Sequence, residues 1–413
     1  MRYLFRPTFG LTRRTEEGLL RRSGKSLPKI DYLLWLGSST PAETSLNNTV
    51  LGRQEQALRA KFCAAGIDVP VISRAVGGRT IATQLSALAA DISYMGNAVA
   101  NGKKVGVLVN IGANDIAITD YDDMAPATRT AMLTNLNSII DQIITAGMEP
   151  IISTSHGRYN YVALYTEWAD RMYRPLIASR CPKWFKAGLA VFDYCKLYVD
   201  NNDVPNWFQA DGLHPNVATA AYQSYSANQL KANAKCKAAP TKERYIFGWS
   251  ASTEYFGGIN QLVGAATGTF AAWTVVNTKG VINPAVSFAW SGADGVSGSV
   301  RGNSGVWDVD LTNHRLQSGT LVKNNATITF TGSFGAGYAG RTGKMRATAN
   351  SSTAGRITRF AVGGQTADVN ASTGINICEI PFTLDASGNI TITATPVGSS
   401  LFANVNGIEI EFN

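Results

Sequence analysis

The chain has 413 residues, enough for two or three domains, and its 45% hydrophobic and 16% charged residues exclude a disordered chain and allow a large buried core. No run of about 18 apolar residues is present, and five Cys without a CxxC pair, beside three His, exclude a disulfide-stapled scaffold and argue against a Cys/His zinc site. The net charge of +8 is concentrated in residues 1–30, with eight Lys or Arg against two Asp or Glu, while residues 31–235 balance at 17 of each sign: a basic arm, not the basic groove of a nucleic-acid enzyme.

The arm (Arg2, Arg6, Arg13, Arg14, Arg21, Arg22, Lys25, Lys29) reads as a solvated tail or as a docking segment for an acidic partner. It lacks the apolar stretch of a signal peptide. Residues 32–36 (YLLWL) form a continuous apolar run ending at Gly37 and read as a buried strand. A helix is expected from Arg53 to residue 65, a short strand over 69–73 and a helix over 80–95. A second buried strand covers 105–111, followed by a helix over 123–146 and a strand over 150–153. Then come a helix over 161–179, a strand over 189–192 and a last helix over 217–235. Buried strands alternating with helices of ten or more residues predict a parallel sheet covered on both faces.

The composition then changes. Residues 236–244, small and basic with Pro240, read as a linker, and 24 of the 40 glycines lie from Tyr245 onward. Short alternating segments at 326–330 (ATITF), 389–394 (NITITA) and 408–412 (IEIEF) predict an all-β sandwich or jelly-roll over 245–413. Residues 335–340 match GxGxxG, but a polar Thr/Asn/Ser stretch follows where a dinucleotide site needs a helix.

In open α/β sheets, ligands sit at the carboxyl ends of the strands. Four polar clusters fall there: Gly37-Ser38-Ser39, Ser73 to Thr80 with Gly77 and Gly78, Gly112-Ala113-Asn114-Asp115, and Asp211-Gly212-Leu213-His214 before the last helix. Together they supply a Ser nucleophile (Ser39), a His base (His214), an Asp to orient it (Asp211) and an oxyanion hole from the Ser39 N–H, the Gly78 N–H and the Asn114 side chain. Asp115 is expected to hold its loop. His156, in Ser155-His156-Gly157-Arg158, is a candidate at the border of the substrate pocket.

The order Ser, Gly, Gly-x-Asn-Asp, Asp-x-x-His resembles the SGNH (GDSL-like) hydrolase family over about residues 31–235. The family usually has Gly-Asp-Ser in the first block, where this chain has Ser38 in place of the Asp; alignment on Gly37 selects Ser39. It often has Asn where Ser73 stands. The resemblance implies a flavodoxin-like three-layer α/β/α fold, a Ser-His-Asp carboxylic ester hydrolase and no metal or other cofactor.

The expected organisation is thus a basic extension (1–30), an SGNH hydrolase domain (31–235), a linker (236–244) and a β-rich accessory module (245–413) that binds carbohydrate or assembles subunits. The module's Trp249, Tyr255, Phe256, Trp273, Trp290, Trp307 and Tyr338 suit a sugar-binding face, and each equally suits a core. The leading expectation is an O-acetyl esterase acting on a polysaccharide. A short-chain lipolytic esterase and a glycan-binding adhesin with an inactive hydrolase domain are the alternatives. The architecture is similar to esterase-bearing phage tail proteins, in which the arm would meet a virion partner or a second copy. The absent signal peptide fits a cytoplasmic or virion-associated protein. Neither nucleic acid nor a membrane span is expected.

Overall fold

A computed structural model describes residues 26–39, 54–155, 158–201, 214, 221–250, 255–256, 260–263, 267–270, 275–297, 320–349, 355–370 and 376–413. His156, Asp211, Trp273, Trp307 and the arm up to residue 25 lie outside them.

Strand β1 (Tyr32–Gly37) is buried along its whole length. Helix α1 (Gln54–Ala64), the two-residue β2 (Ile67–Asp68) and β3 (Val71–Ser73) follow. Helix α2 (Ile81–Ser93), the short α3 (Gly96–Ala100), the fully buried β4 (Val105–Asn110), the one-turn α4 (Ala113–Ile116), the long α5 (Pro126–Thr145) and β5 (Glu149–Ile152) continue the pattern. The strands lie in the order β3-β1-β4-β5, all parallel. Apolar runs without alternation suit strands buried on both faces.

The crossover through α1 runs from β1 toward β3, and those through α2 and α5 run the other way. Right-handed crossovers therefore place α1 on one face and α2 and α5 on the other. The packing agrees: α2 lies on α5, and α1 lies on α9 (Ala221–Asn233), the helix at the end of this half. The register pairs Trp35 with Ser73, Gly37 with Asn110 and Val109 with Ile152, so four carboxyl ends share one edge. The change of crossover direction at β1 makes that edge a topological switch point, where such sheets bind ligands.

The helix expected over 161–179 runs unbroken as α6 (Val162–Trp168), a π-helical turn (Ala169–Tyr173) and α7 (Arg174–Arg180). One expectation is corrected. The strand expected over 189–192 does not join the main sheet. It is the two-residue β7 (Leu189–Ala190), paired antiparallel with β6 (Phe185–Lys186) through a turn with positive φ at Ala187 and Gly188. Beyond it lies α8 (Tyr194–Asp200).

The C-terminal region consists mostly of antiparallel sheets. Five strands run in the order Asn260–Val263, β9 (Arg244–Ser250), Gly407–Phe412, Thr342–Ala349, Asn376–Thr383, with the first pair parallel. Six run in the order Gly268–Phe270, Ser287–Ser291, Ile328–Ser333, Asn389–Pro396, Ile357–Val362, Gln365–Asn370. Their shared core includes Trp249 and Trp290, packed edge to face at 5.6 Å, so these two tryptophans are core and not a sugar face. The GxGxxG stretch is followed by the strand Thr342–Ala349.

Several contacts among the described residues join the halves. β9 is a shared wall: Ile246 enters the α/β core, while Tyr245, Phe247 and Trp249 enter the β core. β8 (Lys237–Ala238) pairs with β2, and β10 (Tyr255–Phe256) pairs antiparallel with β3 at the edge of the main sheet. At the amino end of that sheet, the fully buried Arg59 of α1 pairs with Asp68 and donates from Nε to the Thr278 carbonyl at 2.9 Å.

Candidate active site

The site is built where β1, β3 and β4 end. Ser39 is the first helical residue after β1 and is half-buried. Ser38 beside it is 1% exposed, and its Oγ has no hydrogen-bond partner among the described residues. The segment leaving β3 folds back over β1, with Arg74 N–H donating to Trp35 O (2.9 Å) and Val76 N–H to Gly37 O (3.1 Å). Gly78 sits in its turn with φ +77°. Thr80 then caps α2, accepting from Thr83 N–H on Oγ1, while Thr83 Oγ1 accepts from Thr80 N–H. This capping box satisfies two of the helix's first amides.

The segment leaving β4 turns at Gly112, whose φ is +113°. A Cβ there would lie 1.7 Å from Tyr173 Oη, which itself donates to Ile111 O at 2.8 Å. Only glycine suits both that backbone and that neighbour. Two residues on, Asn114 Nδ2 donates to Arg79 O at 2.9 Å, and the next residue, Asp115, accepts the Ile81 N–H on both oxygens at 3.1 and 3.0 Å. Asp115 therefore holds its loop against the start of α2. Burial pushes its carboxyl up to about 6, against the Ile81 N–H that favours the charged form.

Of the sequence-expected residues, Ser39, Gly78 and Asn114 lie on three segments hydrogen-bonded to one another. His214 is half-buried. His156 and Asp211 fall outside the described residues. Among the described residues, no three His, Cys, Asp or Glu side chains group so as to hold a metal ion, and no helix is long and apolar enough to cross a membrane.

Residues 35–222 match the model of the GDSL-like Lipase/Acylhydrolase family. This segment is similar to the GDSL-like hydrolases. Members of that family hydrolyse carboxylic esters. Three solved structures resemble the same half. "TesA" is 24% identical, with a TM-score of 0.37, covering 49% of this chain and 98% of that one. The psychrotrophic esterase EstA from Pseudoalteromonas sp. is 20% identical, with a TM-score of 0.37, covering 49% and 97%. The lipase/acylhydrolase from Enterococcus faecalis is 19% identical, with a TM-score of 0.36, covering 50% and 98%. No curated protein matches the chain.

The sequence reading missed the side chains that fasten the candidate site. Asp91 (1% exposed) accepts from Arg79 Nη1 at 2.6 Å, Arg74 Nε at 3.3 Å and Gln84 Nε2 at 3.1 Å. Arg74 also stacks over the Tyr94 ring at 4.3 Å. A signal was present. Ile81, Gln84, Leu88 and Asp91 are the buried stripe of α2, and a carboxylate in such a stripe needs cationic partners.

Proposed function

We propose that the chain is a serine esterase that removes O-acetyl groups from a polysaccharide. Ser39 Oγ attacks the acetyl carbonyl carbon while His214, oriented by Asp211, takes its proton. The developing oxyanion is received by the Ser39 and Gly78 N–H groups and by the Asn114 amide. Collapse releases the sugar hydroxyl, which takes its proton from His214. A water, deprotonated by His214, then cleaves the acetyl-Ser39 ester to acetate.

The observation that carries this reading is the Asn114 Nδ2 to Arg79 O bond, which sets the amide beside the Gly78 turn at the edge where β1 delivers Ser39. A sugar substrate is supported by the surroundings. Tyr159 (49% exposed) and Tyr161 (37% exposed) follow β5, with the Arg158 guanidinium 6.0 Å from the Tyr161 ring centroid. Exposed aromatic faces with a nearby cation suit the apolar faces and hydroxyls of sugar rings.

The test is hydrolysis of p-nitrophenyl acetate, butyrate and laurate by wild type, Ser38→Ala and Ser39→Ala. Acetate-selective turnover lost only in Ser39→Ala is expected. Ser38→Ala should be near wild type, because the buried Ser38 hydroxyl has no partner to lose among the described residues. Preference for laurate would replace the glycan reading with a lipolytic one. No turnover on these esters or on an acetylated polysaccharide would refute the esterase reading.

A further inference from the structure

Both cations on Asp91 come from the one loop that carries Gly78. Arg79 Nη1 also donates to Arg74 O and Gln84 Oε1, both at 3.1 Å, so the loop is stitched to itself as well as to α2. Asp91 and Gln84 are 1% and 0% exposed. Burying a carboxylate this deeply carries a desolvation cost that an apolar residue of α2 would avoid, so a charged cluster here calls for a role beyond adhesion.

Arg79 is tied at both ends. Its side chain is held by Asp91, and its carbonyl receives the Asn114 amide. An Asn amide has two N–H donors. One is committed to Arg79 O, and that bond fixes how the amide plane is turned. On the esterase reading above, on which this inference rests, the other N–H is the oxyanion donor. We infer that Asp91 is a positioning residue: acting through Arg79, it sets the orientation of the Asn114 amide and the placement of the Gly78 N–H. It touches no reacting atom. Its effect belongs to the transition state, where the oxyanion forms, and not to substrate binding.

The test compares wild type, Asp91→Asn, Ser39→Ala and the control Asp68→Asn with p-nitrophenyl acetate, reading kcat, KM and Tm. Asp68 is likewise a buried carboxylate paired with an arginine, but it lies at the amino end of the sheet. Asp91→Asn should lower kcat at least about tenfold with KM within about twofold, as expected when an oxyanion donor is turned away. Asp68→Asn should lower Tm while leaving kcat within about twofold, since it lies far along the strands from the chemistry. Asp91→Asn with wild-type kcat overturns the inference, as does an equal fall of kcat in both variants. If Asp91→Asn does not fold, Arg79→Met decides. Methionine has no side-chain N–H for Asp91, Arg74 O or Gln84, so kcat should fall at constant KM, and an unchanged kcat overturns the inference. If wild type turns over no ester, or Ser39→Ala matches it, the esterase reading has failed and this inference falls with it.

Discussion

Replacing Gly112 by Ala places a methyl group where the structure has none to spare. The new Cβ would lie 1.7 Å from Tyr173 Oη and 3.0 Å from Cζ, against 3.4 Å for ordinary contact. Tyr173 is 0% exposed, so its ring cannot swing into solvent. Relief must break the Tyr173 bond to Ile111 O, shift α4, or both. An L-residue held near φ +113° costs about 1–3 kcal/mol. Losing the buried hydroxyl's bond costs about 1–3 kcal/mol. Gly112→Ala should therefore destabilise by about 4 kcal/mol, read by urea unfolding. Because Asn114 lies two residues on, a displacement near 1 Å should also cost kcat about 100-fold.

Tyr173→Phe separates the terms. Alone it loses one hydrogen bond, about 1 kcal/mol. In the double variant the hydroxyl is gone and the worst remaining approach is the 3.0 Å one to Cζ. The double variant should therefore be more stable than the sum of the singles by about 1–2 kcal/mol. Additive effects, or a Gly112→Ala protein within about 1 kcal/mol of wild type, would refute the packing argument.

Two further outcomes are expected. The Asp115 carboxyl, pushed up to about 6, holds its proton more tightly folded than unfolded, where it titrates near 3.9. Its contribution is thus most favourable below about pH 4 and is lost as pH rises through about 6. Asp115→Asn should flatten the dependence of Tm on pH across that window, and an unchanged slope would discard the assignment. Gly280→Ala would set a Cβ 2.7 Å from Gln56 O and 3.0 Å from Ala60 N at φ +76°, wedging the C-terminal region from α1. A loss of about 2–4 kcal/mol in urea unfolding is expected, and an unmoved midpoint would show that the contact is soft.

The parallel sheet was legible because β1 and β4 are apolar without alternation, and only a doubly covered strand tolerates that. Gly112-Ala113-Asn114-Asp115 was legible because its spacing matches a turn leaving a strand. The residues at 189–192 misled because an apolar run does not reveal its partner; positive φ at Ala187 and Gly188 folds it onto Phe185–Lys186. The IEIEF alternation marked a strand, yet both of its faces are buried. Glu409 is 0% exposed, held by Arg346 at 3.0 Å and Arg244 at 3.8 Å, pairings made across strands distant in sequence. Asp91 was passed over although it lies in the buried stripe of α2, because its two cations, Arg74 and Arg79, become neighbours only after the loop folds back.

The pairing of Tyr255–Phe256 with β3 has a consequence for synthesis. A ribosome releases the α/β half first, and while it does so β3 presents an unpaired edge. Such an edge is a template for joining another chain. That edge is covered only when residue 256 has emerged, so the nascent α/β half must wait for the start of the β region before β3 is protected. A chain stopped before residue 255 would carry every motif of the α/β half together with an adhesive flank.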